Sequence, residues 1–285
     1  GGLPLPGVGP DPSVAAGLSA LDRWREQLEG WTIPEEILAQ APEERWVFPA
    51  ELFASKADAT AADTPSRLRA VEALPESGSV LDVGCGAGAA SLALVPPAGR
   101  LIGVDPLPQM LAEFGQRARR AEVSYRAVEG EWPEAAPGVE SADVVVCHHV
   151  LYNVRDLKGF VSQLTAQARR RVVVELTEEH PVAWTGYLWR RFHEVERPEG
   201  PTAHDCAAAL EELGIHPAME VFDEPGGAWG FRHKKDAVAL VRRRLCLPAS
   251  RDLEVEEAIG KRLVEREGFW RVGAARRLAT LWWDV

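Results

Sequence analysis

Val80-Leu81-Asp82-Val83-Gly84-Cys85-Gly86-Ala87-Gly88 is the stretch on which the fold turns. Ser79 to Val83 reads as a short apolar strand that runs into glycines at 84, 86 and 88, and Ala87 to Val95 continues as a helix. Glycines at such a junction let the backbone turn sharply and approach a ligand closely, and the helix start offers unpaired N–H donors. The expectation is a strand–loop–helix unit that binds a small molecule above the strand's C-terminal end.

Outward from that unit the alternation continues. Arg100 to Val104, Val123 to Val128, the nearly all-apolar Ala142 to Cys147, and Val172 to Leu176 read as further strands. Leu107 to Arg120 and Leu157 to Arg169 read as the helices between them. Strands alternating with helices imply a parallel sheet with right-handed crossovers, and continuous apolar runs are those of strands covered on both faces. Ala218 to Phe222 is a sixth strand. Arg277 to Val285 is a seventh, expected at an antiparallel edge, where Trp282 and Trp283 pack on opposite covering layers. The fold expected is α/β: a doubly wound, mostly parallel seven-stranded sheet with helical cap insertions.

The flanks read differently. Leu18, Leu21, Trp24 and Leu28 make an amphipathic stripe, Pro34 starts a short helix, and Thr64-Pro65-Ser66 opens another that stops at Pro75. Residues 178–200 form an aromatic-rich insertion holding Trp184, Tyr187, Trp189 and Phe192, read as a lid core. His180 points toward the edge where ligands bind in such sheets. Asp205 to Leu213 is a helix, and residues 233–270 are two helices joined at Pro248. The domains drawn are 1–12 a Gly/Pro-rich disordered lead, 13–74 an N-terminal helical cap, 75–176 the ligand-binding core, and 177–285 the rest of the sheet with lid insertions.

On spacing alone the glycine loop has two readings. Gly84-x-Gly86-x-x-Ala89 also fits a dinucleotide loop, with Asp105 about 20 residues on. Asp82 tells against that reading, since a carboxylate two residues before the first glycine repels a pyrophosphate and favours a cationic amino group. The acid-x-Gly-x-Gly-x-Gly run over Asp82, Gly84, Gly86 and Gly88 resembles the class I, Rossmann-like S-adenosylmethionine-dependent methyltransferases. The likeness covers about residues 78–176. Trp31-Thr32-Ile33-Pro34 and Trp46-Val47-Phe48-Pro49 resemble the N-terminal cap of actinobacterial-type members.

That resemblance implies roles for individual residues. By it, Asp82, Gly84, Cys85, Gly86 and Gly88 form the cofactor loop, and Asp105 takes the two ribose hydroxyls. Pro106 and Leu107 border the adenosine. After the third strand the family has Gly-Asp-small; here Gly130-Glu131-Trp132 stands there, so Glu131 replaces the aspartate, with Glu129 as a rival. Trp132 packs on adenine or supplies its backbone N–H. The fourth strand ends Cys147-His148-His149-Val150-Leu151-Tyr152, placing His148 near the cofactor sulfur. His148 and His149 are candidate bases for an acceptor proton. Tyr152 either hydrogen-bonds substrate or closes the strand end. The cofactor implied is S-adenosyl-L-methionine, with S-adenosyl-L-homocysteine as product.

Bulk properties bound the partners. The chain has 285 residues and a net charge of −11, which argues against a nucleic-acid substrate. Arg169–Arg171 and Arg242–Arg244 are local basic runs, read as solvated faces unless they adjoin the active site. The four cysteines have no zinc spacing and fit a reducing cytoplasm. His193, His204, Asp205 and Cys206 are poorly spaced for a metal, and none is expected. No apolar run of about 18 residues marks a membrane span. The function expected is methyl transfer to an O, N or C atom of a small-molecule acceptor. An RNA or protein methyltransferase, an NAD-dependent oxidoreductase and a non-catalytic S-adenosylmethionine-binding protein remain alternatives. The acceptor and the oligomeric state are left open.

Overall fold

The computed structural model describes residues 17–45, 63–225, 230–273 and 276–285. The expected disordered lead and the Trp46–Pro49 segment lie outside them. The strands are β1 (Ser79–Val83), β2 (Arg100–Asp105), β3 (Ser124–Glu129), β4 (Ala142–His148), β5 (Ala168–Thr177), β6 (Ala218–Asp223), β7 (Leu263–Arg266), β8 (Phe269–Val272) and β9 (Arg277–Asp284). Seven of them form one sheet in the order β3-β2-β1-β4-β5-β9-β6. β1 pairs in parallel with β2 on one side and β4 on the other, so the chain reverses its direction of travel across the sheet at β1/β4. Ligands bind outside the carboxyl ends of strands at such a switch point.

The antiparallel strand departs from expectation. β9 pairs antiparallel with both β5 and β6, so it sits between them and β6 takes the edge. β9 is buried along most of its length, whereas every residue of β6 is at least partly exposed, which suits β6 to the rim.

Two hydrophobic layers cover the sheet. On one face α3 (Pro65–Ala73), α4 (Ala89–Leu92) and α5 (Pro108–Arg120) bring Ala70, Leu94 and Phe114 against Val80, Leu101 and Val144. On the other, α1 (Ala20–Glu29), α6 (Leu157–Gln167) and α8 (Ala203–Glu212) bring Trp24, Phe160 and Leu210 against Leu81, Ile102 and Val145. The period-2 alternation of β1 thus sends Leu81 and Val83 to one layer and Val80 with Asp82 to the other. Trp283 joins the second layer, and Trp282 packs beside the first.

The helices α1 and α3 therefore belong to the layers flanking the sheet, although residues 13–74 read as a cap. Their starts follow from capping. Ser19 accepts from the Asp22 N–H, and Thr64 accepts from the Arg67 N–H with Pro65 at the first helical position.

A separate core builds the cap. α7 (Gly186–His193), α9 (Lys234–Arg244) and α10 (Asp252–Ile259) bury Leu188, Trp189, Val238, Val241 and Val255 with Ile33, beside α2 (Glu35–Ala39). The second helix of the 233–270 region ends at Ile259, and β7 and β8 form a hairpin there instead. Glu267 and Gly268 both have positive φ, 54° and 78°, the two-residue turn that suits a right-twisted hairpin. Arg242, read as part of a solvated run, is 3% exposed and pairs with Asp252 and Glu43. It lies four residues after Val238 on the same apolar stripe, so its aliphatic stem is part of the core.

Candidate active site

The loop after β1 is held from below and is open above. Gly84, Gly86 and Gly88 all have positive φ, between 50° and 86°. A Cβ on Gly84 would stand 2.5 Å from Val150 Cγ2, so the segment after β4 closes directly over the loop. A Cβ on Gly86 would meet nothing within 4 Å. Asp82 is 1% exposed, and its Oδ2 accepts from the Ser91 hydroxyl at 2.6 Å and the Ser91 N–H at 3.2 Å. Burial pushes the Asp82 carboxyl up to about 6, against the pull of the Ser91 bonds. Cys85 is buried, and its Sγ, with Phe114, fills the room that lets residue 103 be only a glycine.

Asp105 ends β2 beside this loop. One carboxylate oxygen accepts from the Gly86 N–H at 2.9 Å and the other from the Leu107 N–H at 3.0 Å. Each oxygen keeps a second lone pair, so two further donors can be met. Pro106 follows Asp105 into the loop, and Leu107 stands 47% exposed next to it, an unusual position for a leucine before a helix. Glu129 and Glu131 are both exposed at the end of β3, with Glu129 in register with Asp105. The Trp132 indole does not face them. It is buried in the core, and its N–H donates to the Phe160 carbonyl at 3.2 Å.

At the end of β4 the two histidines part company. His148 is half-buried, its buried Nε2 has no partner, and desolvation holds its pKa below the ordinary value. His149 has φ +58°, a left-handed conformation that a non-glycine residue adopts only where surroundings fix it. Here the His149 N–H donates to the Glu175 carbonyl at 2.7 Å. Its ring bridges two groups: Nε2 is 2.9 Å from Glu175 Oε1, and Nδ1 is 3.0 Å from the Tyr152 hydroxyl. Glu175, on β5, accepts from the Ser66 hydroxyl at 2.6 Å, and Ser66 contacts Thr280 of β9. Burial alone would raise the Glu175 carboxyl. The two histidines and Ser66 outweigh it and hold the group below the usual carboxylate range. A carboxylate only accepts, so His149 Nε2 carries the proton and Nδ1 accepts from Tyr152.

Glu175 was not singled out from the sequence. The signal was a lone acid inside the apolar run Val172 to Leu176, which burial penalises unless it is paired.

Tyr152 and His180 lead from this bridge into a cavity of about 270 Å³ between the sheet edge and the cap. His180 stacks on Trp31 with ring centroids 4.6 Å apart, and burial pushes its pKa down to about 4. Trp184 and Trp189 of the aromatic insertion also line the cavity, while Tyr187 faces outward. Asp205 and Cys206 serve structure instead: Asp205 completes the capping box of α8, and Cys206 is fully buried. His193 lies against the Leu245 carbonyl.

Residues 80–170 match the family model described as a methyltransferase domain. Over those residues the chain carries a methyltransferase domain. It is similar to the ubiquinone biosynthesis O-methyltransferase of Methylocella silvestris, with 27% identity over 205 residues, 61% of this chain and 77% of that one. Among solved structures it is similar to a SAM-dependent methyltransferase from Thiobacillus denitrificans (15% identity, 82% of this chain and 98% of that one, TM-score 0.48). Another is the magnesium protoporphyrin IX methyltransferase of Synechocystis (15% identity, 91% and 92%, TM-score 0.45). The chain thus offers a glycine loop with open space over Gly86 and an unpartnered, buried His148 Nε2 at the adjoining strand end. Both features fit S-adenosylmethionine.

Proposed function

We propose that this methyltransferase acts on a small molecule that enters the cavity under the cap and gives up a proton there to the Tyr152–His149–Glu175 chain. The observation that carries the reading is that chain itself. It joins the end of β4, beside the cofactor loop, to the cavity through contacts of 2.9 and 3.0 Å. The M. silvestris relative, named as an O-methyltransferase, supports an oxygen acceptor.

Bound S-adenosylmethionine supplies an electrophilic methyl on a sulfonium, so the reaction is a displacement that demands alignment and a deprotonated nucleophile. The rest falls to the chain's own side chains. Asp105 holds the ribose hydroxyls with its two remaining lone pairs, and Leu107 borders the adenosine. Glu131 or Glu129 meets the adenine amino group. Trp132 contributes its backbone, since its indole is committed to the core. Gly84 and Gly88 shape the loop, Cys85 packs beneath it, and Asp82 braces it through Ser91. His148, neutral and half-buried, lies along the methionine portion.

Tyr152 takes the acceptor's proton as its own hydroxyl proton passes to His149 Nδ1, and ionised Glu175 stabilises the resulting imidazolium. As the acceptor–methyl bond forms, the methyl–sulfur bond breaks and its electron pair stays on sulfur. All four cysteines are buried and free, which supports a reducing, cytoplasmic setting. No helix among the described residues is long and apolar enough to cross a membrane.

Calorimetric titration with S-adenosylmethionine, S-adenosylhomocysteine and NAD, followed by transfer of labelled methyl to a panel of small hydroxylated molecules, tests the reading. Micromolar binding of the first two with labelled product supports it. Binding of NAD alone, or label on RNA or protein only, overturns it.

A further inference from the structure

The chain carries a net charge of −11, yet arginines gather at the cavity under the cap. Arg45, Arg155, Arg197 and Arg244 line it, and no Asp or Glu does so among the described residues. Arg197 is the informative one. Its Nη1 donates to the carbonyls of Gly30 and Thr32, at 3.1 and 2.8 Å. Its Nε and Nη2 are buried and have no hydrogen-bond partner, and among the described residues no carboxylate pairs with it. The guanidinium lies over the Trp189 ring, 4.2 Å from its centroid, and 6.0 Å from that of Trp31.

Burial, and then the charge of Arg45, lower the Arg197 pKa to about 10, so the group stays cationic at neutral pH. Two buried donors of a half-buried cation are costly to leave unused unless something pairs with them. Nε and Nη2 are adjacent along one edge of the guanidinium, the geometry that a carboxylate meets with two parallel hydrogen bonds. The same cavity is lined by indole and aliphatic surface, from Trp31, Trp184, Trp189 and Val241. Such walls suit a flat apolar body.

We propose that the methyl acceptor is a planar, apolar small molecule bearing a carboxylate, and that Arg197 selects it by bidentate pairing through Nε and Nη2. This rests on the acceptor occupying the cavity under the cap. Neither nitrogen touches solvent, so the incoming anion parts the cavity wall to reach them. The unpaired Arg197 charge also disfavours cationic acceptors by repulsion.

The test uses the full chain and three probe acids: 4-hydroxybenzoate, 4-hydroxyphenylacetate and trans-4-hydroxycinnamate. Each is titrated by calorimetry beside its primary amide, with S-adenosylhomocysteine present. The expected result is that at least one acid binds about tenfold or more tightly than its amide. In Arg197→Gln that preference falls about tenfold to a hundredfold, the scale of a lost charged hydrogen-bond pair, while Arg197→Lys keeps part of it. Arg190→Gln, which removes an exposed arginine on α7, leaves it unchanged.

Equal binding of acid and amide, no binding of any acid at millimolar concentration, or an unchanged preference in Arg197→Gln overturns the proposal. So does an Arg197→Gln variant that loses S-adenosylmethionine instead, because the guanidinium then serves the cofactor's own carboxylate. If Arg197→Gln fails to melt cooperatively, the acid–amide pairs on the wild type and on Arg197→Lys decide. A wild type that prefers the acid but binds no S-adenosylmethionine fails the methyl-transfer reading while leaving the carboxylate site standing.

Discussion

The proposed proton route ends on a carboxylate, Glu175, that is ionised and held by His149 and Ser66 before any ligand arrives. Replacing Glu175 by Gln keeps the shape and removes the charge that stabilises a protonated His149. Turnover is expected to fall about 100-fold or more, with S-adenosylmethionine affinity near that of the wild type; steady-state rates beside calorimetry check the split. Asp105→Ala is expected to do the reverse, weakening cofactor affinity by about 1–3 kcal/mol, the scale of lost charged hydrogen bonds. Wild-type affinity in that variant would remove Asp105 from the ribose. His180 gives a pH signature. Its native pKa of about 4 lies below the ordinary 6.5, so between those values the unfolded chain binds more protons. Stability is whole above about pH 6.5 and is lost as pH falls toward 4. Against His180→Phe, the wild type is expected to lose up to about 3 kcal/mol over that window in urea melts. Glu175 loses its own contribution below its ordinary 4.5, and the difference between the two proteins removes it.

The glycine loop shows what an element adds to its residues. Gly84 and Gly86 carry similar spacing signals but meet different surroundings. Gly84→Ala combines a left-handed backbone with a 2.5 Å approach to the stiff side chain of Val150, so a loss of well over about 1–2 kcal/mol of stability is expected. Gly86→Ala has only the backbone cost, because its Cβ enters open space. On the proposed reading the cofactor enters that space, so Gly86→Ala is expected to stay folded and lose S-adenosylmethionine binding. Thermal melts and calorimetry on the pair separate the two roles. The strands were legible because a run such as Ala142 to Cys147, apolar throughout, has one low-energy place in a sheet covered on both faces. Order within the sheet was less so. Nothing local in Arg277 to Asp284 says that it inserts between β5 and β6, since that depends on partners far along the chain. The β7–β8 hairpin had a signal, Gly268 between Leu263-Val264 and Phe269-Trp270, which the flanking helical stretch outweighed. The cofactor loop was readable because its residues are contiguous. Glu175, Ser66 and Thr280 meet only through the fold, and the arginines of the cavity come from four separate segments between residues 45 and 244.

At the scale of the whole molecule the two functions rest on two cores. The cofactor loop stands on the sheet and its layers, whereas the cavity's outer wall stands on the cap core around Leu188, Val238 and Val255. Arg242 pins that cap, joining Asp252 of α10, the Leu247 carbonyl and Glu43 through one buried guanidinium. Its carboxylate partners are 41% and 37% exposed, so they rehydrate when the arginine is removed, and the loss falls on packing and on the Leu247 carbonyl. Arg242→Ala is expected to cost about 3 kcal/mol of stability, confined to the cap. If the cores are energetically separate, limited proteolysis cuts first within residues 234–259, acceptor turnover collapses, and S-adenosylmethionine affinity stays within about twofold of wild type. A parallel loss of cofactor affinity would mean that the cap and the sheet unfold as one unit. The loop at Gly84 would then be shaped partly by Val150, whose segment leads on to Tyr152 and the cavity.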